Sequence, residues 1–101
     1  MLKHYQVKID PEAFIDIQEG IEYYDEQLSG LGEKFENSVD KHIIALGKNP
    51  FYQIRFSDVR CFPIKKYPYI ILFKVYEAEH LVRVISVFQT SQDQELLKRM
   101  K

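Results

Sequence analysis

The side chains able to do chemistry in this 101-residue chain are scattered rather than clustered. His4, His42 and His80 lie far apart, and none has a second His or Cys at ligand spacing, so no metal site is expected. His42 falls on a helix face, where a water or a carboxylate is the expected partner. Cys61 is the one cysteine; with no general base near it in sequence, it reads as a small buried hydrophobe. Ser86 and Ser91 have no Ser-His-Asp setting, and Asp25-Glu26 reads as a solvated helix face. No cofactor is expected. What remains is a set of cations inside apolar stretches: Arg60, Lys74 and Arg83. An unpaired charge in such a place is costly, so each must face water, pair with an acid, or meet a partner. That is the chemistry of binding, and it depends on how the strands carrying these cations are placed.

The elements follow from periodicity. "HYQVKI" (4–9) alternates, with Tyr5, Val7 and Ile9 on one side, and suits a first strand. Asp10-Pro11 ends it and opens a helix, because Asp is a preferred N-cap and Pro fits the first helical turn. Phe14, Ile17, Ile21, Tyr24 and Leu28 then recur at helical spacing as its core stripe. "SGLG" (29–32) is a turn, after which Phe35, Val39, Ile43 and Leu46 mark a second helix closed by "KNP" (48–50). Beyond Phe51 the sequence turns rich in Val, Ile, Phe and Tyr: "VRCFPI" (59–64), "YPYIILFKVY" (67–76) and "LVRVISVFQ" (81–89) read as strands. Their short connections favour an antiparallel meander. The tail from Gln92 suits a short helix or a frayed end.

The expected fold class is therefore α+β. An N-terminal strand and a helical hairpin precede a three-stranded antiparallel meander, and the helices pack on one sheet face. Alternation along 67–76 puts Tyr69, Ile71, Phe73 and Val75 toward the helices and Ile70, Leu72, Lys74 and Tyr76 away from them. One register adds Arg60, Phe62 and Ile64, with Arg83, Ile85 and Val87, to that second face. A surface half apolar and half basic, left uncovered by the helices, describes a partner platform: Arg60, Phe62, Ile70, Leu72, Lys74, Tyr76 and Arg83. The competing reading is self-coverage, with Leu96, Leu97 and Met100 folding back over it.

Composition narrows the setting. The chain is one domain over residues 1–101, 46% hydrophobic and 29% charged, with no apolar stretch near the roughly 20 residues of a membrane span. The start has no signal-peptide core, so a cytoplasmic location is expected. Net charge is −1, which gives no general attraction to nucleic acid. The halves differ: residues 1–50 hold five Lys/Arg against ten Asp/Glu, and residues 51–101 hold nine against five.

The order "VKIDPEAFIDIQEGIEYYDEQLSGLGEKF", "NPF", "VRCFPIKKYPYIILFKV" and "VISVFQTSQD", from about Tyr5 to Asp93, resembles the RelE/ParE superfamily of type II toxin–antitoxin toxins, also labelled plasmid stabilisation proteins. The acidic first helix ending in "YYDEQ", the "GLG" turn and Arg60 ahead of the "YPY" strand carry the likeness. The resemblance implies a toxin neutralised by a cognate antitoxin through strand addition or a helix laid in a groove. It offers two activities. RelE-like members cleave ribosome-bound messenger RNA with Lys, Arg and Tyr side chains, but the matching positions hold Ile70, Gln89, Thr90 and Leu96, and Lys65 and Lys66 are hairpin-turn residues. ParE-like members poison DNA gyrase by protein contact and need no such cluster. The ParE-like branch fits better, with a ribonuclease or an inactivated binding module as the alternatives. The ending "TSQDQELLKRMK" departs from the family's usual tail.

Overall fold

The computed structural model of the chain describes residues 4–90. Helix α1 (Pro11–Gln27) begins where the sequence says it should, at Pro11. Asp10 holds the N-cap backbone position, but its carboxylate makes no cap hydrogen bond. Gly30, at φ 95°, takes the left-handed turn that lets α2 (Leu31–Lys48) double back. The two helices pack on each other; α1 lies against the last strand and α2 against the first.

The sheet has five strands: β1 (Gln6–Ile9), β2 (Ile54–Phe56), β3 (Val59–Pro63), β4 (Tyr69–Tyr76) and β5 (Leu81–Gln89), in the order β1-β5-β4-β3-β2. β1 runs parallel to β5, and the other pairings are antiparallel. The meander thus has the three expected strands plus β2. That short edge strand reaches β3 through a tight turn at Ser57, φ 50°.

The helix-side core contains Ala13, Ile17, Phe35, Val39, Leu46, Tyr69, Ile71, Phe73, Val82 and Val84. Ile71 and Phe73 are fully buried, as alternation requires. The stripe of α1 is shifted from the expected one. Ala13, Ile17 and Gly20 are buried, whereas Phe14 is 55% and Leu28 63% exposed. Gly20 explains the shift: the ring of Phe35 packs so close that a Cβ there would lie 2.6 Å from Cε2. At Gly20 the helix leaves room for the rings of Phe35 and Tyr69, which pack with Tyr67 and with Tyr24 of the same helix.

Candidate functional site

The seven residues expected to form one platform are divided by the sheet. β3 has the opposite parity to the expected one, since Arg60 stands opposite Phe73 and Phe62 opposite Ile71. Directly paired residues share a face, so Arg60, Phe62 and Ile64 look toward the helices, and Val59 and Cys61 look away. The hairpin sets this register through the Ile64 N–H donating to the Tyr69 carbonyl at 2.9 Å, and a slip of one residue exchanges every face. Arg60 Nη1 donates to the Tyr52 carbonyl at 2.8 Å, and its guanidinium lies 5.3 Å from the centre of the Phe51 ring. Phe62 stacks on Tyr52 at 4.1 Å. Both residues hold segment 51–53 on the end of the sheet.

Ile70, Leu72, Lys74 and Tyr76 do face away from the helices, and Arg83 stands opposite Lys74. Ile70 and Leu72 are not open, however. They are 8% and 0% exposed within a second apolar cluster with Val59, Cys61 and Phe88, against which Phe56 and Ile85 pack. Leu96, Leu97 and Met100 lie outside the described residues. Val87 belongs to the helix side, because β5 bulges: Phe73 pairs with Val84 but Leu72 with Ser86, which reverses the alternation beyond. The accessible part of the second face is polar. Arg83 Nε donates to both carboxylate oxygens of Asp10 at 2.9 Å, and Lys74 Nζ sits 3.8 Å from Asp58. Lys74 and Arg83 also line a depression of about 530 Å³ with Asp10, Pro11 and Glu12.

A cleft of about 260 Å³ on the other side, between α1 and the ends of β4 and β5, escaped the sequence reading. α1 supplies Asp16, Glu19, Gly20 and Tyr23; the strands supply Tyr69 and Gln89. Spacings of 3, 4 and 7 from Asp16 put these α1 residues on one face, and a glycine inside a helix was the available signal. Asp16 Oδ2 accepts from the Val87 N–H at 3.0 Å and the Ser86 hydroxyl at 3.2 Å, anchoring α1 to the bulge. Burial still pushes the Asp16 pKa up, against the lowering effect of those hydrogen bonds. Tyr69 is 6% exposed, and burial, aided by nearby phenols and carboxylates, pushes it up to about 12.

No family model and no curated protein matches the sequence. Solved structures do. A chain of the chromosomal ParDE toxin–antitoxin system from P. aeruginosa superposes with a TM-score of 0.71 at 14% identity, covering 86% of this chain and 97% of that one. The intact E. coli RelBE toxin–antitoxin complex gives 0.64 at 18%, covering 84% and 95%. The isolated E. coli RelE toxin gives 0.64 at 17%, covering 96% and 99%. The fold is that of the RelE/ParE toxins.

Within the RelE/ParE fold, the positions matched to ribonuclease groups are occupied by other chemistry. Ile70 sits in the second apolar cluster, Gln89 borders the cleft, and the Thr90 hydroxyl donates to the Pro68 carbonyl at 3.2 Å. Leu96 lies outside the described residues. The partners of His42 are backbone groups: Nδ1 donates to the Ser38 carbonyl at 2.7 Å, and Nε2 accepts from the Lys65 N–H at 3.2 Å. Among the described residues no group of three His, Cys, Asp or Glu could hold a metal ion, and no helix is long and apolar enough to cross a membrane.

Proposed function

We propose that this chain is the toxin of a type II toxin–antitoxin pair, ParE-like in action. It inhibits DNA gyrase in the cytoplasm by protein contact, without breaking a covalent bond, and a cognate antitoxin neutralises it. The carrying observation is the shared fold, with a TM-score of 0.71 to the ParDE chain over 86% of this one. The gyrase reading is further supported by Ile70 and Gln89, neither of which can offer a cation to the charge of a phosphorane. The antitoxin surface consists of the polar rim Lys74, Tyr76 and Arg83 and the outer side of α1, where Phe14 and Ile15 stand 55% exposed among carboxylates. An amphipathic, basic segment complements that helix.

Induction of the chain without a partner tests the reading. Growth arrest with loss of negative supercoiling in a reporter plasmid, and with full-length messages, is the expected result. Messages cut on the ribosome with unchanged supercoiling would make it a ribonuclease. Normal growth, with binding to the product of the adjacent reading frame retained, would make it an inactive binding module.

A further inference from the structure

The cleft beside α1 gathers acceptors for a positive charge that the described residues do not supply. Asp16 Oδ2 is committed to Val87 and Ser86, while Oδ1 accepts no hydrogen bond among the described residues. Glu19 is exposed and pairs with no cation among them. Tyr69 is only 6% exposed, yet its hydroxyl borders the cleft with no hydrogen-bond partner among the described residues. The phenol oxygen lies 3.4 Å from where a Cβ on Gly20 would stand, so the missing side chain keeps the way to it open. No described side-chain N or O atom is both buried and unpartnered, so the hydroxyl of this otherwise buried tyrosine opens onto the cleft, where a ligand can reach it. Burial also raises the pKa of both Asp16 and Tyr69, the behaviour of acids that lack a counter-cation.

We propose that this cleft receives a single arginine side chain presented by a protein partner. A guanidinium offers five N–H donors in a planar fork, enough to engage Asp16 Oδ1 and the Glu19 carboxylate together and still reach the Tyr69 oxygen. Its plane and methylene stem match the ring of Tyr23 at the rim. About 260 Å³ lies below the roughly 300–1,000 Å³ of small-molecule sites and suits one side chain. The source is protein rather than nucleic acid, because α1 carries six carboxylates and no Lys or Arg, a field that repels phosphate. The inference deepens the toxin reading and rests on it only for the source of the arginine, the antitoxin.

The test is a titration of the ¹⁵N-labelled full chain with N-acetyl-arginine amide. Saturable shifts should be confined to the amides of Val87, Phe88 and Gln89 and to those around Gly20. Affinity should fall about tenfold in Glu19→Gln and in Tyr69→Phe, the loss typical of one charge-assisted hydrogen bond. Both exchanges spare the fold, since Glu19 is exposed and the Tyr69 ring remains. Absence of shifts, or unchanged affinity in either variant, overturns the proposal. So does tighter binding of spermidine than of the arginine amide. Binding that emerges only after Lys98→Gln, Arg99→Gln and Lys101→Gln would assign the cleft to the chain's own end and overturn it too. The probe reports on the isolated chain, so its failure leaves the growth and supercoiling result intact, and a non-toxic chain could still bind it.

Discussion

Two residues of α1 show how narrowly its inner surface is specified. Gly20 meets Cε2 and Cζ of the fully buried Phe35 at 2.6 and 2.9 Å from an added Cβ. Gly20→Ala gains up to about 1 kcal/mol of helix propensity but overpacks a closed ring environment, which costs about 1–3 kcal/mol. A net loss of about 1–2 kcal/mol in urea denaturation is expected, and equal or greater stability would contradict the packing described. Asp16 has its pKa raised above 3.8 by burial. The folded chain therefore holds that proton more tightly than the unfolded chain. Stability from this source is complete below the ordinary carboxylate value and is lost as pH rises through the folded value. Asp16→Asn retains an oxygen to accept from Val87 N–H and does not ionise. The urea midpoint of Asp16→Asn relative to wild type should accordingly rise as pH increases above the ordinary carboxylate value, whereas a constant gap would show that the charged form carries no such cost.

The elements themselves were largely legible. Asp10-Pro11 and "SGLG" mark helix ends by backbone chemistry local to the sequence, and the run Leu81–Gln89 is the whole of β5. β2 was missed because three residues, Ile54–Phe56, give no countable period. Face assignment failed wherever it depended on pairing, a non-local property: the hairpin register turned Arg60 and Phe62 inward, and the bulge turned Val87. The cleft was illegible for the same reason, since α1 and Tyr69 meet only in the folded chain. The bulge gives a test at this scale. Deleting Ser86 would leave Ile85 opposite Leu72 and Val87 opposite Ile71, so each apolar side chain keeps its face. A folded protein is expected, weaker by about 1 kcal/mol for the lost bond to Asp16. Deleting Val87 instead, with the bulge closed in the same way, leaves Ser86 opposite Ile71, so a hydroxyl replaces a buried valine on the helix side and the loss in urea unfolding should exceed about 2 kcal/mol. Equal behaviour of the two deletions would mean that the bulge does not set the alternation.

At the scale of the molecule, the sheet carries apolar clusters on both faces, and β4 serves each with alternate residues. Sequence alone suggested a single covering layer and hence an open second face, because nothing in "YIILFKVY" distinguishes a side chain awaiting a partner from one already buried. Leu72 separates these states. It faces away from both helices and is 0% exposed, the same as its neighbour Phe73 on the helix side. If the second cluster is a true part of the core, Leu72→Ala removes buried carbon without full collapse of the space. It should then cost about 2–5 kcal/mol, as core truncations do. If Leu72 belonged to a platform left open in the free chain, the methyl groups would already be hydrated and the loss would stay under about 1 kcal/mol. Urea unfolding of the free chain decides between these values. Loss of partner binding in Leu72→Ala would then reflect lost folding unless the free variant is as stable as wild type, so the proposed contact with a partner on the second face is tested at Lys74, Tyr76 and Arg83, which remain accessible with that core in place.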